Sequence, residues 1–414
     1  AMALCLLTQW TMAQAPKWVE KAKQAVFSIV TYDKNDQILN TGNGFFVTED
    51  GVALSDYTLF KGARRAVVID NEGRQMPVLN IMGADDMYDV VKFRVGIEKK
   101  VTALPIANRQ PTAGALVYLL PYSTQKGRTC TTGHLKSADK MEGNYFYYTL
   151  ELPLKDKMIS CPLTNEEGAV FGLAQKSAGQ DTATICYAVD TRYAMDQKIS
   201  ALSYNDETLT GIGIKKALPD TEEQALIFLY MASAQLSPEK YMEVLNDYIG
   251  QYPNSADGYM RRATQLLSTS QDEADLKQAA ADMDQALKVA RQEETVRYDR
   301  AKLLYNYMLT QPEKPYDDWS FDKSLEEIRK AIALQALPVY VQLEGDILFA
   351  KQDYAGALAA YEQVNHSDLA SPASYFSAAQ TKEMMKSPAA EVLALMDSCV
   401  ARCPQPYTEA AAPY

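Results

Sequence analysis

Histidine is almost missing from this chain. Of 414 residues only His134 and His366 carry an imidazole, and none lies between residues 1 and 133. Any chemistry placed in that first third must therefore work without the usual neutral-pH base. The six cysteines, Cys5, Cys130, Cys161, Cys186, Cys399 and Cys403, contain no CxxC pair. With so few histidines beside them a Cys/His zinc site is not expected, and no other metal or cofactor site is read. Cys399 and Cys403 stand at i and i+4 on one helical face, where packing is expected rather than a bridge. Basic clusters are absent as well: 53 acidic residues face 41 basic ones, for a net charge of -12. That balance removes the footprint a nucleic-acid partner needs. "GIGIKKA" at 211–217 lacks the spacing of a phosphate-binding loop. No segment approaches the roughly 18 apolar residues of a membrane span.

What is present is ordinary globular material, 47% hydrophobic and 23% charged, with no compositional sign of disorder. The length allows two or three domains of roughly 100–200 residues each. The opening "AMALCLLTQWTMAQAPKW" is a short apolar run closed by small residues before a proline. It resembles the end of a secretory signal, with cleavage expected near Ala15. Residues 1–15 are read as its remnant, trimmed at the front because the basic start and the initial Met are missing. The competing reading is a buried helix of a cytosolic protein. Export implies a periplasmic or cell-envelope location and permits disulfides, whose pairing the sequence leaves open.

Two periods divide the rest. Between residues 16 and 200, runs such as "AVFSIVTYD", "DVVKFRV", "NYFYYTLEL" and "TATICYAVD" are β-branched and aromatic. Turn residues such as "KND", "EDG" and "NEEG" separate them. Many short strands without intervening helices predict an all-β pair of barrels or a sandwich. Residues 201–221 are expected to be a linker, and from 222 to 414 the period becomes helical. The predicted class is thus multidomain, β then α.

In the helical half a pattern recurs. "YAGALAAYEQV" spaces Tyr354, Ala357, Tyr361 and Val364 by 3, 4 and 3, with Gly345 twelve residues before Ala357. "FDKSLEEIRKA" and "LKQAAADMDQA" repeat the spacing, and "KYMEVLNDYIGQYPNSADGY" carries Leu245, Tyr248 and Pro253. Small residues at crossing points let helices approach, and aromatic knobs fill the space beside them. The pattern resembles tetratricopeptide (TPR) repeats. It is tightest at 338–366, with "QPEKPYDDW" as an inserted loop. The final "YTEAAAPY" is read as a fresh helix cut short.

In the β half four segments carry a second resemblance. "TGNGFFVTEDGVALSDYTLFKGA" (41–63), "YDVVKFRV" (88–95), "CPLTNEEGAVFGL" (161–173) and "CYAVDTRY" (186–193) occur in that order. They are similar to the motifs of trypsin-like serine proteases of the bacterial HtrA type. The resemblance implies a chymotrypsin-like double β-barrel over 16–200. It also assigns positions to the chemistry, which needs a serine, an imidazole to take its proton and a carboxylate to orient that imidazole. Asp89 matches the carboxylate. Thr58 stands at the histidine position, in "LSDYTLF" where the family has "LTNAHVV". Ile159 stands at the serine position, and Lys157 replaces the glycine whose N–H helps form the oxyanion hole, in "DKMISCPL" against "GNSGGPL". A lysine there disfavours a positive-φ backbone. Shifting the register brings in Ser160 or Cys161, but no histidine accompanies either. Asp89 is left to hydrogen-bond backbone or Thr58, and Cys161 reads as a small buried residue with no base to lower its pKa.

The expected function is therefore a non-catalytic, protease-like module joined to a TPR scaffold. It would bind a protein or peptide through the barrel cleft or the repeat groove. The alternative is a divergent peptidase using Ser160 or Cys161 with an unrecognised base, or Ser160 with Lys157. A third reading makes the repeats a structural spacer.

Overall fold

Val26–Tyr32 (β1) buries Phe27 and Ile29 completely while Ser28 and Val30 stay half-buried, the period-2 signature of a strand with one face on a core. The computed structural model containing it describes residues 15–125, 127–176, 184–269 and 272–403. The signal-like segment before Ala15, with Cys5, and the terminal "YTEAAAPY" lie outside the described residues.

Twelve strands are described in the β half. Ile38–Phe46 (β2), Val52–Ser55 (β3), Arg65–Ile69 (β4), Gln75–Asp85 (β5) and Val90–Val95 (β6) join β1 in a closed barrel of order β1-β2-β3-β6-β5-β4. Leu116–Leu119 (β7), Thr131–Lys140 (β8), Phe146–Glu151 (β9), Pro162–Thr164 (β10), Val170–Gln175 (β11) and Ile185–Asp190 (β12) close a second barrel, β10-β11-β12-β9-β8-β7. All the ladders within the two barrels are antiparallel. This is the chymotrypsin-like double barrel that the motif order implied. Closure removes sheet edges, and each interior is filled by rings. Phe27 meets Phe46 at 4.6 Å in the first barrel, and Tyr148 meets Phe171 at 5.1 Å in the second. At Gly44 a Cβ would lie 2.7 Å from the Leu54 carbonyl oxygen and 2.7 Å from the Phe27 ring, so only glycine fits that wall. Short helices Trp18–Ala22 (α1), Tyr57–Phe60 (α2), Thr191–Asp196 (α3) and Glu207–Thr210 (α4) decorate the barrels.

The segment expected to be a linker, 201–221, is instead packed on the first barrel. Gly62 N–H donates to the Gly211 carbonyl at 2.8 Å, Gly213 N–H to Ala63 at 2.7 Å, and Ala217 N–H to Ile81 at 2.7 Å. Ile212, Ile214 and Leu218 are buried. Those three apolar side chains, together with the backbone hydrogen bonds to Gly62, Ala63 and Ile81, supply the reason for docking.

The contact pattern divides the chain between Met231 and Ala232. Glu222–Ser233 (α5) spans that division, and the helical half beyond it contains Pro238–Gln251 (α6), Ala256–Thr269 (α7), Glu273–Val289 (α8), Glu293–Thr310 (α9), Phe321–Leu334 (α10), Pro338–Ala350 (α11), Tyr354–Asn365 (α12), Pro372–Met384 (α13) and Ala389–Arg402 (α14). Neighbours pack pairwise, α7 on α8, α9 on α10, α11 on α12 and α13 on α14. The repeated positions point inward: Leu276, Ala279, Met283 and Ala286 are buried, as are Ile328, Ala331, Ala357, Tyr361 and Val364. Gly345 makes the α11–α12 crossing possible, because a Cβ there would come 2.6 Å from the Tyr361 ring. Gly345→Ala is expected to destabilise the helical half by about 1–3 kcal/mol, despite alanine's better helix propensity. Thermal unfolding of the full chain checks this. An unchanged or higher midpoint would mean that Tyr361 moves aside freely.

Candidate functional site

The first barrel presents α2 to a cleft of about 400 Å³ whose lining includes Thr58, Asp89, Asp56, Ile159, Ser160 and Asn43. Helix α2 begins after β3, where Asp56 is its N-cap and its Oδ1 accepts the Leu59 N–H at 2.9 Å. Asp89 sits in the turn before β6 with φ of 52°, a left-handed conformation that aspartate tolerates better than most residues. Its Oδ1 accepts both the Thr58 N–H at 2.7 Å and the Thr58 hydroxyl at 2.9 Å. The three residues aligned with a triad, Thr58, Asp89 and Ile159, therefore line one cleft, and the Asp89 carboxylate is turned onto Thr58.

The opposite wall is the loop that enters β10. Asp156–Met158 form a 3₁₀ turn in which Met158 N–H donates to Lys155 O at 2.8 Å and Ile159 N–H to Asp156 O at 3.3 Å. Lys157 lies inside this turn. Asn43, from β2, reaches across and donates from Nδ2 to the carbonyls of Lys157 at 3.1 Å and Ile159 at 2.9 Å. Those carbonyls are thus tied to the first barrel. The positive φ falls instead on Ser160, at 62°, held by Ser160 N–H donating to Ala174 O at 2.8 Å.

Ser160 does not face Thr58. Its hydroxyl donates to Oδ2 of Asp56, an interaction between the two barrels. Asp56 is buried, and burial raises its pKa from 3.8 to about 6, helped by the charge of Asp89 and opposed by the hydrogen bonds from Ser160 and Leu59. Cys161 is fully buried, and desolvation pushes its thiol up to about 12, so a thiolate there is strongly disfavoured. Lys157 is an exposed side chain outside the cleft lining. His134 lies in β8, opposite Leu116 and Glu151, and His366 caps α12 with Nδ1 2.6 Å from Glu362 O.

Sequence reasoning missed Asp56. Its only signal was a charged residue at the asparagine position of "LTNAHVV". Its partner lies 104 residues away, which no local pattern reports. Among the described residues no group of three His, Cys, Asp or Glu side chains is placed to hold a metal, and no helix is long and apolar enough to cross a membrane.

Comparison with known proteins agrees with this geometry. Residues 42–173 match the model of the trypsin-like peptidase domain. Serine protease HTRA1 of Xenopus laevis is 25% identical over 276 residues, covering 63% of this chain and 56% of that protein. Anti-sigma-I factor RsgI9 of Acetivibrio thermocellus is 22% identical over 156 residues, covering 37% of this chain and 22% of that protein. The chain thus spans about half of one of these relatives and about a fifth of the other. Two closed six-stranded barrels and the match over 42–173 identify the β half as a trypsin-like, protease-related domain.

Proposed function

We propose that the double barrel is a non-catalytic binding module for an extended peptide or protein segment, carried in the cell envelope with a TPR-like scaffold for a partner protein. One observation carries this reading: both hydrogen-bond donors of Thr58 are committed to Asp89. The position that would house a proton-accepting imidazole is therefore occupied by a closed hydroxyl–carboxylate contact. The Ile159 N–H, committed to Asp156 O, supports the same reading, since an oxyanion needs unpaired donors. The cleft remains between the barrels and keeps room for a side chain, with the amide of Asn43 and the apolar Leu59 and Ile159 on its walls.

Unfolded casein tests the reading. The expected result is association without release of acid-soluble fragments, weakened when Thr41→Trp fills the cleft mouth. Release of fragments that disappears in Ser160→Ala would establish the divergent peptidase instead. Binding indifferent to Thr41→Trp would move the contact elsewhere.

A further inference from the structure

We propose that helices α9 and α11 present a face that seats the guanidinium of an arginine on a basic segment of a partner protein. Helical spacing builds the face. Tyr298, Lys302 and Tyr305 follow one another at i, i+4 and i+7 on α9, and Gln342, Asp346 and Phe349 do the same on α11. The two helices touch, and the Tyr298 and Tyr340 rings stack across them with centroids 4.8 Å apart. Burial pushes the Tyr298 phenol up, and the charges of Asp299 and Asp346 add to it, so both carboxylates lie by that ring.

These carboxylates keep open lone pairs. Among the described residues no donor reaches Asp299, and burial raises its pKa to about 6, with the charge of Asp257 adding to the shift and those of Lys302 and Arg261 opposing it. Asp346 takes the Tyr361 hydroxyl at 2.9 Å and the Gln342 amide at 3.1 Å on the same oxygen, Oδ1, which leaves Oδ2 without a donor among the described residues. Asp257, Asp299 and Asp346 thus outnumber the cations Arg261 and Lys302, and the face stays negative. Half-buried carboxylates beside tyrosine rings suit a planar cation with several donors, which stacks on a ring while its N–H groups fork to the oxygens. The chain fills such a set elsewhere with its own arginine. Arg65 lies 3.7 Å over the Tyr32 ring and donates from Nε and Nη2 to Asp36 at 3.0 and 2.7 Å. Over Tyr298 stands only the Lys302 ammonium, 5.9 Å from the ring, a hydrated point charge on a flexible stem that a guanidinium can displace. The inference rests on the reading of the helical half as a scaffold for a partner protein, and names the chemistry of that partner.

The test follows the fluorescence anisotropy of a fluorescein-labelled Gly-Arg-Gly-Arg-Gly peptide on the full chain at physiological ionic strength. Peptides with lysine or glutamate in place of arginine run beside it. The expected result is saturable binding of the arginine peptide, weaker binding of the lysine one and none of the glutamate one. Asp299→Asn and Tyr298→Leu should each weaken arginine binding by roughly 10-fold, the size of a cation–π or charge contact partly withdrawn from water. Glu313→Gln removes an equal charge from an exposed site and should leave the affinity within about two-fold. Equal losses in all three variants would mean diffuse attraction to an acidic chain and would overturn the proposal, as would binding of the arginine peptide that neither Asp299→Asn nor Tyr298→Leu weakens. Binding of the glutamate peptide instead would overturn the arginine assignment and leave the scaffold reading standing. Binding of none of the three also overturns it, while casein association, read with Thr41→Trp, tests the barrel cleft separately.

Discussion

Asp56→Asn is expected to stabilise the protein at neutral pH relative to its effect in acid, by about 3 kcal/mol. The size follows from a carboxyl whose pKa moves from 3.8 to about 6 on folding, at 1.36 kcal/mol for each pH unit. The sign follows from which state binds the proton more tightly. A raised folded pKa means that ionisation costs the native state more than the unfolded chain. The contribution of Asp56 is therefore most favourable below about 3.8 and is lost as pH rises through about 6. Desolvation is the main cause, and the facing charge of Asp89 adds to it. Asparagine has no charge to desolvate and can still accept the Leu59 N–H as the cap of α2. Urea unfolding of both proteins at about pH 3 and pH 7 gives the comparison, and taking the difference between them cancels the titration of all other carboxylates. A difference independent of pH would show that Asp56 titrates normally.

The barrels were legible where one face is buried and the other half-wet. β1 and β6 alternate along their length, and their apolar residues announce them. β2 and β5 did not read as strands over their full length for the opposite reason. The first half of β2, Ile38–Gly42, leaves Ile38 and Leu39 exposed with no buried alternation, and β5 carries Pro77, an exposed Leu79 and two register shifts against β6. Their place is dictated by barrel closure, a tertiary demand that no window of sequence contains. The cleft was legible through motif order, which placed Thr58, Asp89 and Ile159 on one site. The contacts that distinguish it were not. Asn43 to the 157 and 159 carbonyls, and Ser160 to Asp56, each join the two barrels across more than a hundred residues. In the helical half, Ala357 and Tyr361 were readable because their spacing recurs in "FDKSLEEIRKA" and "LKQAAADMDQA". The segment 201–221 was misread because its Gly, Asp and Lys punctuation masks Ile212 and Ile214, which alone do not make a period.

Removing Arg262 is expected to be among the most damaging single changes in the helical half, at about 3–5 kcal/mol for Arg262→Leu. Arg262, on α7, donates from Nε and Nη2 to the two oxygens of Asp282 on α8, at 2.8 and 2.7 Å, and from Nη1 to Asn246 on α6 at 2.8 Å. Asp282 also accepts from Gln278 at 2.9 Å, and its side chain is only 3% exposed. The pair gains little net energy, since each charge has left water to reach the other. Its loss is asymmetric, because without the guanidinium a carboxylate remains in the α7–α8 seam beside Ala279 and Met283 with one amide for company. The double variant Arg262→Leu/Asp282→Leu removes both charges and leaves apolar volume, so it should recover most of the loss. Urea unfolding of the parent, the two single variants and the double variant, followed by far-ultraviolet ellipticity, closes the cycle. A double variant as unstable as Arg262→Leu alone would mean that the bidentate contact, together with its link to Asn246, contributes stability that packing cannot replace. Three consecutive helices would then be held by one guanidinium.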